Sequence, residues 1–189
     1  MLTFEAFLII FFTLMALIIT VSIIYNTVRL GISPMPSSHK AYRTMMQLAD
    51  ETDSGTIIDF GSGWGNLVIP IAKRYPHRQI IGYELSYLPW LTSRLLKQLL
   101  GLKNLTVHRQ DFYQADLSSA SVLVCYLFPQ AMQKISDKLR LEQSNVNFLI
   151  SNNFALPSWQ PIKTIQVDDF YKSPVYLYKI SNKSENEYI

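Results

Sequence analysis

Ile57-Ile58-Asp59-Phe60-Gly61-Ser62-Gly63-Trp64-Gly65-Asn66 is the stretch that decides the fold, because it joins an apolar strand to a glycine-rich turn. Glycine tolerates positive φ, and without a Cβ atom it lets backbone N–H groups come close to a bound ligand. The helix expected after the turn adds unpaired N–H groups at its N-terminus. Dinucleotide-binding turns have glycines at the first, third and sixth positions. Here Asn66 occupies the sixth position and the third glycine is Gly65, so the stretch predicts a nucleotide-type cofactor site and leaves a dinucleotide site as the weakest alternative.

Strands and helices alternate on both sides of this stretch. Short apolar runs predict strands, and longer amphipathic segments predict helices. The expected strands are 56–60, 79–83, 105–108, 122–126, 147–150, 164–167 and 175–180, and the expected helices are 39–49, 66–75, 86–100 and a last one that ends near 141. Pro70 is expected to bend or shorten the second helix. The alternation predicts an α/β fold with a mainly parallel sheet and helices on both faces.

Polar side chains stand where four of the expected strands end, at Asp59, Glu84, Asp111 and Tyr126. The carboxyl ends of parallel strands meet at one edge of a sheet, so we expect these side chains to share one crevice. An acid placed like Glu84 can accept two hydrogen bonds from the hydroxyls of a ribose. Asp111 also suits a turn for its own sake, and Tyr126 also suits ordinary packing at a strand end.

The uncharged, apolar run from Ala6 to Val28 is long enough to cross a bilayer as a helix. A signal peptide would open with positive side chains, whereas this run follows Glu5. A cleaved signal peptide and a buried helix of the domain are the alternatives. Arg29, Lys40 and Arg43 follow the run and predict that the domain lies on the cytoplasmic side. We therefore expect an anchor with its flank over 1–32, a domain over 33–180 and a frayed tail over 181–189.

Composition limits the remaining possibilities. At 189 residues with 49% hydrophobic content, the chain can form one domain with a sizeable core. All 17 Lys and Arg residues lie at or beyond Arg29. There they give a mild excess of positive over negative charge, which suits an anionic membrane surface. No dense basic cluster favours nucleic acid as a partner. His39, His77 and His108 are too widely spaced for a metal site, and the single Cys125 indicates packing in a reducing compartment.

From Ser33 to about Ile180, the chain resembles the single-span lysine methyltransferases that include mitochondrial enzymes acting on ATP synthase subunit c and on the adenine nucleotide translocase. The resemblance rests on an N-terminal apolar segment, on the Pro/Ser-rich segment that follows it from Ser33, and on five further short motifs. These motifs are Ile58-Asp59-Phe60-Gly61-Ser62-Gly63-Trp64-Gly65, Gly82-Tyr83-Glu84-Leu85, Pro89-Trp90-Leu91, Gln110-Asp111-Phe112 and Tyr126-Leu127-Phe128-Pro129-Gln130. The implied fold is the Rossmann-like class I methyltransferase fold, and the implied cofactor is S-adenosylmethionine.

The resemblance also implies a role for each matching residue. Gly61, Gly63 and Gly65 would line the methionine part of the cofactor, and Asp59 would position its amino group. Glu84 would hold the ribose hydroxyls, and Asp111 with Phe112 would face the adenine. Ser62 and Leu85, within the same motifs, complete the expected cofactor-binding set. Tyr126 to Pro129 would border the methyl donor and the incoming lysine, which makes Tyr126 the candidate catalytic residue.

Two features depart from the family pattern. Trp64 stands where the family usually has an acid, and Ser86-Tyr87-Leu88 lengthens the link before Pro89-Trp90-Leu91.

Methyl transfer from a sulfonium requires a neutral amine held in line and shielded from water. The expected acceptor is a lysine of a membrane protein, on the cytoplasmic side or on the matrix side of an organelle. A lipid, quinone or other hydrophobic acceptor stays open, as does a non-catalytic scaffold.

Overall fold

The computed structural model describes residues 3–30, 38–142, 144–170 and 172–180. The chain divides into two compact units, Met1–Met35 and Pro36–Ile189. The Pro/Ser-rich segment before Ser38 and the tail 181–189 lie outside the described residues, so the expectations about them are not tested.

The first unit contains one long helix, α1, over Phe4–Leu30. Its window Phe4–Val21 has a mean hydropathy of 2.5, and none of that window is buried. Glu5 is the acid of its first turn. By length and composition the helix could cross a bilayer, a test that signal sequences near an N-terminus also pass.

The second unit alternates helices and strands, as the apolar periodicity predicts. The strands agree with the predicted ranges to within two residues at each end. The elements are α2 His39–Asp50, β1 Thr56–Phe60, α3 Val68–Arg74, β2 Ile80–Tyr83, α4 Tyr87–Leu99, β3 Leu105–His108, a 3₁₀ turn Phe112–Gln114, β4 Ala120–Cys125, α5 Pro129–Leu141, β5 Phe148–Asn152, β6 Lys163–Gln166 and β7 Pro174–Lys179.

The strands form one seven-stranded sheet in the order β3-β2-β1-β4-β5-β7-β6. The first five strands in this order are parallel to one another. β7 is antiparallel to both β5 and β6, so β6 points the same way as β5. We call the edge at which β1 to β5 end the carboxyl edge. The order β3-β2-β1-β4-β5 is that of a doubly wound, Rossmann-like fold, here with an antiparallel strand in a mixed sheet, and the carboxyl edge is where such folds bind ligands.

Helices cover both faces of the sheet. Successive residues of a strand point to opposite faces, so neighbouring residues of β1 belong to different cores. Ile57 faces the core beneath α2 and α3, which also contains Met45 and Ile71. Ile58 faces the core beneath α5, which contains Met132. Each of these fully buried side chains contributes about 1.5–3 kcal/mol through removal of apolar surface from water. The two cores hold β1 rigidly in the middle of the sheet, and the glycine-rich turn starts from its end.

The helix after this turn is shorter than predicted. It was expected over 66–75 but has seven residues, Val68–Arg74, because Asn66 and Leu67 belong to the turn. Pro70 is the third residue of α3, where a backbone N–H would have no partner inside the helix in any case. The Ile71 N–H is the first after the proline to bond within this segment, at 3.1 Å to the Leu67 carbonyl. The helix therefore avoids the cost of about 3 kcal/mol that an interior proline brings.

Candidate cofactor-binding site

Backbone hydrogen bonds tie the glycine-rich turn to the neighbouring strand. The N–H groups of Gly61 and Ser62 both donate to the Tyr83 carbonyl at 2.9 Å. Gly61, Gly63 and Gly65 have φ values of +76°, +53° and +86°. At Gly65 this conformation coincides with crowding, since a Cβ atom there would lie 2.7 Å from Ile69 Cδ1. Glycine at this position therefore lets the turn close against α3.

Glu84 directly follows β2 and reaches back to the glycine-rich turn. Its Oε2 accepts a hydrogen bond from the Gly63 N–H at 2.9 Å. Its Oε1 accepts one from the Ser86 N–H at 2.7 Å. The residue is only 9% exposed. Each carboxylate oxygen can accept a second hydrogen bond, so Glu84 holds the turn and still has acceptor capacity for two hydroxyl groups.

Asp59, on the neighbouring strand β1, supplies a second carboxylate close to Glu84. It pairs in register with Gly82 and is 4% exposed. Burial, together with the negative charge of Glu84, raises the pKa of Asp59 from its ordinary value of 3.8 to about 7. The site therefore holds two buried carboxylates, one of which changes charge near neutral pH. Such a site favours a ligand with positive charge.

Ser62 lies in the glycine-rich turn, three residues after Asp59. It is 5% exposed, and its Oγ finds no hydrogen-bond partner within the part of the chain that the structure describes. A Cβ atom at Gly82 would lie 2.9 Å from this Oγ, so the glycine on β2 makes room for the serine. A buried hydroxyl without a partner costs about 1–3 kcal/mol, which a bound ligand would relieve.

The other predicted cofactor residues lie after β2 and β3. Asp111 Oδ1 accepts a hydrogen bond from the Tyr113 N–H at 3.0 Å and so caps the 3₁₀ turn. Phe112 stacks on Phe60, the last residue of β1, with ring centroids 5.0 Å apart. Leu85 is half-buried directly after Glu84. The structure thus places Phe112 next to the end of β1 and gives Asp111 the turn role that Asp residues often have.

Tyr126 follows the last residue of β4 and is half-buried. Its ring stacks with Phe154, with centroids 6.2 Å apart and an angle of 16° between the planes. Phe154 follows β5, and the sequence analysis did not identify it as a site residue. The one available signal is that Asn152-Asn153-Phe154 comes at the end of a buried strand. Asn153 has a φ of +67°, a turn conformation that asparagine tolerates. The two rings form an aromatic pair at the carboxyl edge.

Ser93 on α4 is a second residue that sequence reasoning missed. It is fully buried, and its Oγ donates toward the carbonyls of Gly63 and Pro89 at 2.9 and 3.0 Å. It therefore helps to hold the middle of the glycine-rich turn. Among the residues of α4 only Ser93 is buried, and no local pattern in the sequence marks it. Trp90 donates its indole N–H to the Val107 carbonyl at 3.1 Å, and Trp159 donates its indole N–H to Ser136 Oγ at 3.2 Å.

The two departures from the family pattern both lie beside this turn. Trp64, in the turn itself, is 37% exposed. Ser86, in the lengthened link, precedes the first residue of α4 and donates its N–H to Glu84. The longer link therefore supplies one of the two hydrogen bonds that fix the Glu84 carboxylate.

The donor and acceptor set of the site fits S-adenosylmethionine. That cofactor carries a sulfonium and an amino group, both positive, and a ribose with two hydroxyls. Asp59 and Glu84 provide negative charge and acceptors, and Ser62 provides a hydroxyl that needs a partner. The turn also gives close access to backbone atoms, since a Cβ atom at Gly63 would meet no atom nearer than the Gly61 carbonyl oxygen at 3.9 Å. When bound, the cofactor supplies the reactive methyl group.

A solved structure with the same fold supports this fit. The chain is similar to an RNA methyltransferase from Salinibacter ruber in complex with S-adenosyl-L-homocysteine, with a TM-score of 0.71 and 25% identity. The similarity covers 81% of this chain and 98% of that one. The fold and the site therefore define the protein as an S-adenosylmethionine-dependent methyltransferase.

The family can be stated more closely. Residues 59–163, more than half of the chain, match the model described as the ANTKMT methyltransferase domain, and the chain belongs to this family. It is 24% identical over 153 residues to a protein-lysine N-methyltransferase of Saccharolobus islandicus, covering 77% of this chain and 92% of the relative. It is 32% identical over 114 residues to the adenine nucleotide translocase lysine N-methyltransferase of Mus musculus, covering 59% of this chain. The chain spans about half (48%) of that mouse relative's length.

Proposed function

We propose that the protein transfers methyl groups from S-adenosylmethionine to a lysine side chain of a membrane-associated protein. The observation that carries the proposal is the family match over residues 59–163, which includes Asp59, the glycine-rich turn and Glu84. The relatives from Saccharolobus islandicus and Mus musculus are both named as lysine N-methyltransferases. The mouse relative's name gives adenine nucleotide translocase as its target.

In this proposal each site residue has one task. Asp59 takes the cofactor's amino group, Glu84 takes the ribose hydroxyls, and Ser62 donates its unused hydroxyl proton to an acceptor on the cofactor. Gly61, Gly63 and Gly65 line the methionine part, and Leu85, Asp111 and Phe112 form the adenine side. The hydrogen bonds that Glu84 receives from Gly63 and Ser86 hold its carboxylate ready before the cofactor arrives.

The acceptor lysine approaches the methyl group past Tyr126 and Phe154. An exposed lysine has a pKa near 10.4 and is charged at neutral pH, so it must lose a proton before it can attack. Two stacked aromatic rings offer a surface that removes water from the amine and lowers its pKa. Tyr126 contacts the amine in this proposal, and its hydroxyl orients the lone pair toward the methyl group.

The proposal includes a retained membrane anchor over residues 1–32, a catalytic domain over 33–180 and a tail over 181–189. The apolar window Phe4–Val21 with no buried residue supports the anchor. A helix that belonged to the core of a soluble domain would bury part of its surface. The positive residues after the span support a domain on the cytoplasmic side, or on the matrix side in an organelle.

The test is methyl transfer by the full chain to membranes. Purified full-length protein in detergent is incubated with methyl-labelled S-adenosylmethionine and membranes from cells that lack it. Label in a protein band, with a lysine mass shift of one to three methyl units in the labelled peptide, is the expected result. Label confined to the lipid extract or to RNA would contradict the lysine assignment, and saturable cofactor binding without transfer to any fraction would contradict catalysis.

Two variants sharpen this experiment. Tyr126→Phe keeps the aromatic pair but removes the hydroxyl, and the expected result is slower transfer with unchanged cofactor affinity. Glu51→Ala is the matched control, because Glu51 is exposed and forms its ion pair with Lys163 at the opposite edge of the sheet. Anchoring is tested separately by flotation of the expressed protein with lipid vesicles and by its intact N-terminal mass. A cleaved N-terminus, or protein that stays at the bottom of the gradient, would contradict the anchor.

A further inference from the structure

Helix α4 is packed less deeply than the other helix that ends near the rim of the sheet, α5. The structure describes α4 along its whole length, and Ser93 is its only buried residue. None of the apolar side chains of this described helix belongs to either core. In α5, by contrast, every buried apolar side chain belongs to the core beneath that helix, which is the ordinary arrangement of a surface helix. The apolar residues of α4 therefore serve no core of their own domain.

Four leucines of α4 form a stripe on the side opposite Ser93. They are Leu88, Leu91, Leu95 and Leu99. Because an α-helix turns by roughly 100° per residue, all four lie roughly 120–160° around the helix axis from Ser93. Leu95 is 50% exposed and Leu99 is 81% exposed. We call these four residues the leucine stripe. An apolar stripe that faces away from its own domain marks a surface for a partner.

The chain around the leucine stripe carries only positive charge. Residues 85–110 include no acid and four cationic residues, Arg94, Lys97, Lys103 and Arg109. Within the described ranges, none of these four takes part in an ion pair. The Arg94 guanidinium lies over the Trp90 ring and the Arg109 guanidinium over the Tyr87 ring, with 5.3 and 5.4 Å from Cζ to the ring centroid. These contacts hold two of the cations beside the helix.

We propose that the leucine stripe docks on an anionic lipid surface. Leucines on one side of a helix with cations beside them are the pattern of helices that lie in the membrane–water interface. The leucines enter the acyl boundary, and the four cations meet anionic headgroups. Tyr87, which is 52% exposed at the start of α4, suits the same interface.

The charges favour lipid over a second copy of the chain. In a symmetric dimer the same surface patch meets itself, so the cations beside one stripe would face those beside the other. Such a juxtaposition of like charges opposes association. The inference concerns the second unit by itself. It goes beyond the proposed function and depends neither on the anchor nor on the lysine assignment.

The consequence concerns which lysines can reach the methyl donor. Tyr87 begins α4 three residues after Glu84, whose carboxylate holds the glycine-rich turn. A chain covers at most about 3.6 Å per residue, so the Cα atoms of these two residues lie within about 11 Å of each other. A lipid surface that holds α4 therefore lies close to the cofactor site. Such a position favours lysines near the headgroups over lysines of proteins in solution.

The test measures the depth of position 99 in the full chain. Leu99→Cys is labelled with a thiol-reactive environment-sensitive fluorophore, and the protein is reconstituted into vesicles of phosphatidylcholine with or without phosphatidylglycerol. Cys125 is the single natural cysteine; it is fully buried, and burial raises its pKa to about 12, so it stays unlabelled. Leu141→Cys is the matched control, because Leu141 is 84% exposed and is the last residue of α5, as Leu99 is of α4.

The expected result is blue-shifted emission at position 99 that doxyl-labelled lipids quench, with water-like emission at position 141. Quenching at position 99 should decrease when phosphatidylglycerol is left out, and equal quenching in both compositions would contradict the role of the cations. Water-like emission at both positions in vesicles that carry the protein would overturn this inference and leave the anchor intact. Equal quenching at both positions would also overturn it. A blue shift at position 99 that doxyl lipids do not quench would mean that a protein surface covers the stripe, and would overturn the lipid assignment.

A second measurement tests the consequence for methyl transfer. Replacing Leu95 and Leu99 together by Gln should lower methylation of a membrane-embedded target, while the affinity for S-adenosylmethionine stays unchanged. Leu141→Gln is the control and should change neither quantity. Unchanged methylation in the double variant would contradict the consequence for substrate choice. The depth measurement involves no methyl transfer, so its outcome is separate from that of the lysine assignment.

Discussion

Replacing Asp59 by Asn is expected to stabilise the protein at pH 8 and to leave it nearly unchanged at pH 4. The pKa of Asp59 rises from 3.8 to about 7 on folding. This is a difference of roughly three pKa units, and each unit corresponds to 1.36 kcal/mol, so the ionised side chain costs the folded state about 4 kcal/mol. Asn has nearly the same shape and carries no charge, and it therefore avoids this cost at high pH.

The sign of the pH dependence follows from which state holds the proton. Between pH 4 and pH 7 the folded protein keeps a proton on Asp59 that the unfolded chain has lost. The free energy of unfolding therefore falls as the pH rises through this window, and above pH 7 the full cost is present. The difference between the wild-type protein and the Asn variant should grow over the same window and then level off.

Urea unfolding of the full chain in mild detergent, without cofactor and followed by tryptophan fluorescence, measures this difference at several pH values. Asp137→Asn is the control, because Asp137 is exposed on α5, where it accepts a hydrogen bond from Gln133. Its difference from the wild-type protein should not vary in the same way. A constant difference between wild type and Asp59→Asn from pH 4 to pH 8 would refute the claim that burial and Glu84 hold the proton on Asp59.

Three further predictions concern the turn and its supports. Glu84→Ala should weaken S-adenosylmethionine binding by about 1–3 kcal/mol, measured by calorimetry against Glu51→Ala, because charge-assisted hydrogen bonds are lost; unchanged affinity would remove Glu84 from the ribose role. Gly65→Ala should lower the free energy of unfolding by about 1–2 kcal/mol or more, because the residue has a positive φ and its new Cβ atom would crowd Ile69. Gly63→Val should instead abolish cofactor binding while the domain stays folded. Equal effects of the two variants on stability would contradict the view that Gly65 serves folding and Gly63 serves cofactor binding. Ser93→Ala should cost about 1–3 kcal/mol in unfolding experiments, because the Gly63 carbonyl loses its hydrogen-bond partner; unchanged stability would contradict this role of Ser93.

Periodicity and turn residues predicted most of the fold. β1 and β3 have the predicted boundaries, because short apolar runs between polar turns leave little choice of register. The start of α3 was predicted two residues too early, since the glycine-rich turn continues through Leu67. The antiparallel placement of β7 between β5 and β6 was not predicted, because strand order depends on contacts between distant segments.

The site could be predicted only in part, for a related reason. Asp59 and Glu84 were identified because strand ends are visible in the sequence. The contact of Glu84 with the Gly63 N–H joins residues 21 positions apart, and local patterns do not encode it. Ser93 and Phe154 reach the site from α4 and from the segment after β5, so only the packed structure brings them to the turn and to Tyr126.

The most direct test of the account is a crystal structure of the protein with S-adenosyl-L-homocysteine. The ribose hydroxyls should lie within hydrogen-bonding distance of the Glu84 carboxylate, with the amino acid part of the ligand beside the turn from Gly61 to Gly65. A ligand bound away from the ends of β1 and β2, or a Glu84 carboxylate that contacts only Gly63 and Ser86 in the complex, would contradict the account.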